Sequence, residues 1–106
     1  MNWINLTTMS ELDKIKQDSF QNFQFIFKHS TRCSISKMVL SRFESTNDSA
    51  SLSVYLLDLL NYRDLSNQIA DDFNLKHESP QLLVIKDDEC YKHSSHTSIH
   101  QLNLFE

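Results

Sequence analysis

The sequence predicts a single layered α/β domain in which helices alternate with short apolar strands. The length of 106 residues is typical of one domain. Apolar residues recur about every four positions in some segments and form short continuous runs in others. A last pair of strand-like runs is separated by two Asp residues. The predicted order is α-β-α-β-α-β-β-α, with a parallel β-α-β unit first and an antiparallel hairpin last, around a four-stranded mixed sheet.

The first helix is predicted over residues 9–19. Thr8 and Glu11 form a capping-box pattern at its start. Its apolar face is expected to hold Leu12, Ile15 and Phe20.

The run 23–28 is aromatic and β-branched and predicts the first buried strand. The polar stretch 29–34 follows it, and a second helix begins there, which places Cys33 at or beside a helix N-terminus. One stripe of this helix is expected to hold Ile35, Met38, Val39 and Phe43. A Ser/Asn/Asp-rich loop is predicted over 45–53.

The run 53–60 is nearly all apolar, as in a strand covered on both faces. Asn61 is expected to cap the next helix, whose apolar stripe repeats every four residues. Its members are Leu65, Ile69 and Phe73.

The segment 74–80 breaks that helix and is followed by strands over 81–86 and 89–93, with Asp87-Asp88 as a tight turn between them. A last helix is predicted, capped by Ser95 or Thr97. Its apolar residues would be Ile99, Leu102 and Phe105.

Composition excludes several functional classes. The chain contains no glycine, so it has no Gly-rich phosphate loop, and its turns must be made with Asn, Asp, Ser or Lys. A formal net charge of −4 argues against nucleic acid and against an anionic membrane surface as partners. Neither a transmembrane run nor a signal-peptide pattern is recognisable, so we expect a cytoplasmic protein.

Cys33 is the candidate reactive group. A helix N-terminus and neighbouring cations favour a thiolate, and Lys28, His29 and Arg32 precede this cysteine. The alternative is that Cys33 is a small buried apolar residue. Position 36 holds Ser, which excludes a C-x-x-C cycle; its hydroxyl would at most hydrogen-bond the sulfur, and the simpler interpretation is a serine in the first helical turn.

Two segments resemble a known family. The run His29-Ser30-Thr31-Arg32-Cys33-Ser34-Ile35-Ser36 resembles the Thr-Cys-Pro-Ile-Ser neighbourhood of the monothiol bacilliredoxins, the YtxJ-type proteins of the bacillithiol system, with one residue between Thr and Cys. The run Ser79-Pro80-Gln81-Leu82-Leu83-Val84-Ile85-Lys86-Asp87-Asp88-Glu89 resembles the thioredoxin-family segment in which a cis-proline precedes an apolar strand. Ser34 departs from the family pattern, which has Pro at that position.

The resemblance implies a thioredoxin-like three-layer α/β/α sandwich and a thiol-disulfide oxidoreductase. Cys33 would remove a low-molecular-weight thiol resembling bacillithiol from mixed disulfides on client proteins. This thiol would be a co-substrate, with no bound cofactor, and a disulfide reductase is a candidate recycling partner. The implied site residues are Thr31, Arg32, His29 and Ser36 around the thiolate, and Ser34, Ser79 and Pro80 at the substrate.

Four other interpretations concern the second cysteine, the histidines and the function. Cys90 lies too far along the predicted sheet to resolve a Cys33 disulfide and is expected to be structural. A zinc site would need residues from a Cys/His group, but exposed histidines explain that pattern more simply and no metal is expected. The group comprises Cys90, His93, His96 and His100. A thioredoxin-like binding module without redox chemistry is the main alternative function; a cysteine hydrolase using His29 as its base ranks last.

Overall fold

The computed structural model describes residues 1–47, 52–102 and 104, which form a five-stranded mixed sheet with helices on both faces. The strand order is β1-β3-β2-β4-β5. The elements in chain order are β1 (Asn2–Asn5), α1 (Met9–Asp18), β2 (Gln24–His29), α2 (Ser34–Thr46), β3 (Ser53–Asp58), α3 (Arg63–Asp72), β4 (Gln81–Lys86), β5 (Glu89–Ser95) and the 3₁₀ helix η1 (His96–Gln101). No helix in these ranges has the length and apolar character needed to cross a bilayer.

The predicted four-stranded sheet is wrong by one strand. β1 pairs in parallel with β3, with Asn2 opposite Ser53 and Asn5 opposite Leu56. This strand has only four residues, and the two Asn residues at its ends are exposed. Asn is rare in strands, so the pattern carries little strand signal, and pairing with β3 provides the missing stabilisation.

The start of the third helix and the type of the last helix differ from the prediction. α3 begins at Arg63 with Tyr62 at its N-cap, and the Asn61 side chain instead donates to the Asp58 carboxylate at 2.7 Å. The last helix is a short 3₁₀ helix, His96–Gln101, preceded by Ser95 as predicted. Phe105 lies outside the described residues, as do residues 48–51 of the predicted 45–53 loop, whose first two residues belong to α2.

Two apolar clusters, one on each face of the sheet, produce the three layers. One cluster packs α1 and α3 against the sheet and includes Ile26 of β2. The other packs α2 and η1 and includes Phe25 and Phe27. Successive residues of β2 therefore point into opposite layers, as expected for a strand buried on both faces.

The buried stripe of α2 differs from the predicted one. Val39 and Phe43 are buried as predicted, but Ile35 is 54% exposed and Met38 is 39% exposed. The third buried position is Ser36. The spacing Ser36, Val39, Phe43 follows one helical face, so the polar serine disguised the true stripe. In α1, Leu12 and Ile15 are buried as predicted, whereas the aromatic residue at position 20 is exposed.

The glycine-free turns are made as the composition requires. Asp87 and Asp88 form the β4–β5 turn with φ of 53° and 60°, and Asn74 ends α3 at φ 54°. Asn and Asp tolerate this left-handed region better than other residues with a Cβ. His96 also has a positive φ, 55°, which composition did not indicate.

Lys28 is fully buried at the end of β2. Its Nζ donates to the Ser66 carbonyl oxygen of α3 at 3.0 Å and lies 3.4 Å from His77 Nδ1. No carboxylate of the described residues forms a salt bridge with it. Burial without a counter-charge lowers the pKa of Lys28 to about 8.

We predict that the free energy of unfolding rises as the pH increases from 8 toward 10. Folded Lys28 loses its proton near pH 8, whereas the unfolded chain keeps it to about 10.4, so the unfolded state binds more protons in this interval. Between the folded and the unfolded pKa of Lys28, the free energy of unfolding rises by on the order of 3 kcal/mol. Urea unfolding at several pH values measures the rise, and Lys28→Met should remove it.

Lys37→Met is the matched control, because Lys37 is exposed. Identical pH dependence in the wild type, Lys28→Met and Lys37→Met would contradict the assignment.

Candidate active site

Three segments meet at one end of the sheet. His29 at the end of β2 lies opposite Asp58 at the end of β3 in the parallel pair. Lys28 lies opposite Gln81, the first residue of β4, in the antiparallel pair. The loop 30–33, the loop 59–62 and the segment leading to Pro80 are therefore neighbours. Sites of open α/β sheets form at such strand ends.

Cys33 is half-buried and occupies the N-cap position of α2. Its backbone N–H donates to the Ser30 carbonyl oxygen at 3.2 Å, and its own carbonyl oxygen accepts from the Lys37 N–H at 3.1 Å. The turn on one side and the helix on the other thus hold its backbone. The side chain makes no capping hydrogen bond, so the helix N-terminus acts on the sulfur through its partial positive charge.

Ser36 is buried and ties the active-site loop to β2. Its Oγ is 2.7 Å from His29 Nδ1 and accepts from the Ser30 backbone N–H at 3.1 Å. The hydroxyl therefore bonds these two groups and not the Cys33 sulfur. Ser36 therefore links the first turn of α2 to the last residue of β2, His29, and to the first residue of the following loop, Ser30.

The His29 ring is also buried, and no hydrogen bond joins it to the Cys33 sulfur in the described structure. Burial lowers the pKa of His29; Asp58 opposes this effect and Lys37 reinforces it. A histidine with a lowered pKa is neutral at pH 7. His29 thus lies in the site as a neutral hydrogen-bonding group next to Ser36.

Thr31, Arg32 and Ser34 are exposed around Cys33. Thr31 and Arg32 line a cavity of about 290 Å³ together with Leu60 and Asn61. Ser34 is the first residue of α2, where proline is otherwise favourable.

The Ser79–Pro80 peptide bond is cis, and Pro80 is buried directly before β4. The Pro80 carbonyl oxygen accepts from the His96 backbone N–H at 2.9 Å. The His96 side chain also lies 3.3 Å from the Glu78 carboxylate. The proline segment is therefore anchored to the end of β5, on the opposite side of β2 from the 59–62 loop.

Cys90 lies at the other end of the sheet. It pairs with Ile85, which in turn pairs with Gln24 at the start of β2. The length of β2, roughly 17 Å for five steps, separates this end from the site. A disulfide needs Cα atoms within about 7 Å, so Cys90 cannot bond Cys33 in this fold. Burial raises the pKa of the Cys90 thiol to about 11.

His93 and His96 do not assemble with Cys90. His93 is exposed and His96 faces Glu78, while the His100 side chain is not described. Among the residues that the structure describes, no three His, Cys, Asp or Glu side chains are grouped to hold a metal ion.

The sequence did not indicate that the end of β3 and the 59–62 loop form one wall of the cavity beside Arg32. The Asp58 carboxylate accepts from the Leu60 N–H at 3.1 Å and from Asn61 Nδ2 at 2.7 Å. These residues lie at the end of an apolar strand, and the ends of neighbouring parallel strands share one edge of a sheet. That position was the signal that could have placed them next to the Cys33 loop.

We predict that Ser36→Ala lowers the free energy of unfolding by about 1–3 kcal/mol, because it leaves the part-buried Ser30 N–H and the buried His29 ring without their partner. Ser34→Ala is the control on the same helical turn, since Ser34 is exposed. Denaturant titration of both variants measures the difference. Equal stabilities would show that the Ser36 hydroxyl does not hold the loop.

The fold is shared with solved thioredoxin-like structures. One, described as a candidate oxidoreductase with a thioredoxin fold, is 28% identical with a TM-score of 0.83, covering 96% of this chain and 87% of that chain. Malassezia sympodialis thioredoxin is 12% identical (TM-score 0.74; 95% and 84% covered). Fasciola hepatica thioredoxin is 13% identical (TM-score 0.74; 95% and 91% covered). The predicted thioredoxin-like class is confirmed, with five strands instead of four.

The family is shown by the sequence itself. The family model described as "Monothiol bacilliredoxin BrxC" matches residues 4–104, which include Cys33 and the Ser79–Pro80 segment. With nearly the whole chain matched, this protein belongs to the monothiol bacilliredoxin family.

Proposed function

We propose that this protein is a monothiol thiol-disulfide oxidoreductase that removes a low-molecular-weight thiol resembling bacillithiol from client proteins. The family and the fold support a thiol-redox role. The observation that carries the specific proposal is a half-exposed Cys33 at a helix N-terminus with Ser36 at the position where a dithiol enzyme has its second cysteine.

The reaction consists of two exchanges. The Cys33 thiolate attacks the sulfur of the small thiol in the client mixed disulfide; the Cys33–small-thiol disulfide forms, and the client sulfur leaves as a thiolate. A second small thiol, as its thiolate, then attacks this disulfide. Cys33 is released, and the small thiol leaves as its symmetric disulfide. No electrons beyond those of the thiols are required.

The second exchange must use an external thiol. Cys90 lies at the opposite end of the sheet, and the chain has two cysteines in total. A disulfide reductase would return the symmetric disulfide to two thiols. We propose that both exchanges take place in the reducing cytoplasm, where small thiols are kept reduced. The proposed partners are therefore S-thiolated clients, the small thiol and that reductase.

Other residues of the site support the first exchange. The N-terminus of α2 and the Arg32 guanidinium favour negative charge on the attacking sulfur. Ser79 and Pro80 lie beside the active-site loop, where an extended client segment would pair with their backbone in the manner of an added strand. Ser34, in place of proline, adds one backbone N–H next to the sulfur.

A binding module without redox chemistry is the second candidate, favoured by one observation. Ile35 and Met38 are exposed on α2 close to Cys33. Exposed apolar side chains beside a site are typical of protein-docking surfaces. The same surface would hold a client in the redox mechanism, so the sulfur distinguishes the two functions.

We expect Cys33→Ser to abolish release of the small thiol from a model protein mixed disulfide, while Cys90→Ser leaves the release rate unchanged. The reason is that Cys33 supplies the nucleophile and Cys90 lies at the far end of the sheet. Intact-protein mass spectrometry follows both the client and the adduct on Cys33, and the added mass shows that the small thiol has moved to Cys33. Unchanged release by Cys33→Ser would refute the redox function and leave the binding module.

We also expect iodoacetamide to modify Cys33 selectively in the folded protein at pH 7.5. With its pKa raised to about 11, Cys90 is a thiolate in fewer than about one molecule in a thousand at this pH. Peptide mapping gives both rates, and unfolding in urea should bring them together. A Cys33 rate no faster in the folded than in the unfolded chain would contradict the reactive thiolate.

A further inference from the structure

A groove lies on the β3 side of Cys33, away from the Pro80 segment. Its inner part is the cavity of about 290 Å³ lined by Thr31, Arg32, Leu60 and Asn61. An outer cavity of about 340 Å³ shares Leu60 and Asn61 with it. The outer part continues along the start of α3 to Tyr62, Arg63 and Asp64. Together the two cavities have the size of a small-molecule site.

The walls of this groove are held in place by hydrogen bonds. The Leu59 N–H donates to the His29 carbonyl oxygen at 3.1 Å, which ties the two loops together. The Asp58 carboxylate holds both the Leu60 N–H and the Asn61 amide nitrogen. A groove fixed in this way loses little conformational entropy when a ligand binds.

The charge of the groove is uneven. Arg32 is the charged residue that lines the inner cavity, and it forms no salt bridge with any residue the structure describes. In the outer cavity, the charges of Arg63 and Asp64 offset each other. The inner part therefore attracts an anion, whereas the outer part suits an uncharged polar group. A guanidinium is well shaped for a carboxylate, which it binds through two parallel hydrogen bonds.

We propose that this groove binds the small thiol through a carboxylate of that thiol, with Arg32 as the carboxylate contact. The inference rests on the proposed function, because it places the thiol that Cys33 attacks. Arg32 precedes Cys33 directly, so a carboxylate held there is within the length of a small molecule whose sulfur is at Cys33. The outer cavity then accommodates the uncharged remainder. The Pro80 side of the site is left to the client.

The test compares two model thiols of matched size on one client protein. The client carries 3-mercaptopropionate in one mixed disulfide and 3-mercaptopropionamide in the other, so the two differ in the carboxylate. We expect the wild-type protein to release the carboxylate form roughly two- to five-fold faster at low salt. High salt should reduce this preference, because part of it is screened charge attraction.

Arg32→Gln should bring the ratio of the two rates close to one. The ratio is the readout, because Arg32 is also proposed to stabilise the Cys33 thiolate, so its loss is expected to slow both reactions. Arg42→Gln is the matched control, since Arg42 is an exposed residue of α2 outside the groove, and it should keep the wild-type ratio.

A second pair of substrates tests the other source of a carboxylate, which is the client. The neutral thiol is placed on client peptides with Glu or with Gln next to the cysteine. An Arg32-dependent preference for the Glu peptide alone would overturn the proposal, because Arg32 would then recognise the client. An equal ratio in wild type and Arg32→Gln would also overturn it while leaving the redox function intact. Failure of the wild type to release either thiol would instead refute the proposed function.

Discussion

The arrangement of the site depends on the pairing of β2 with a strand on each side. β3 runs parallel to it and ends level with it, so His29 lies opposite Asp58. β4 runs antiparallel and begins where β2 ends, so Lys28 lies opposite Gln81. A shift of one residue in either pairing would turn the buried side chains of β2 to the wrong layers. The pairing that directs the side chains of β2 into the two cores therefore also fixes the positions of the Cys33 loop, the 59–62 loop and the proline segment.

The last two residues of β2 connect this register to both helical layers. Lys28 points toward α3 and bonds the Ser66 carbonyl oxygen, whereas His29 points toward α2 and bonds Ser36. Burying Lys28 without a carboxylate costs stability, and so does keeping His29 uncharged below pH 6.5. The same contacts attach the end of β2, and with it the loop 30–33, to α3 on one face of the sheet and to α2 on the other. Active sites require their reacting groups to be held close to the reacting geometry. Here the contacts of Lys28 and His29 hold the Cys33 loop in place, and burying these two side chains lowers the stability of the core.

Ser36 accounts for the monothiol character of the proposed reaction and also has a structural role of its own. Its hydroxyl occupies the position of a second cysteine and is used by Ser30 and His29. The site thus lacks a second thiol near Cys33, and in the proposed reaction an external thiol approaches Cys33. The open groove beside Arg32 provides the space for such a molecule, while Ile35 and Met38 offer an apolar surface to a protein. In the proposed mechanism, the small thiol and the client are held on different sides of the Cys33 sulfur.

The sequence by itself determined the order of most elements, the Thr8 capping box, the Asp87-Asp88 turn and the position of Cys33 at the start of α2. These features depend on residues close together in the chain, so local patterns reveal them. Only the tertiary structure decided the rest. Strand β1 is formed by pairing with a segment about fifty residues away, and the contacts of Ser36 and Lys28 join separate elements. The groove between Arg32 and Asn61 likewise exists because two parallel strands end side by side, which a linear pattern does not display.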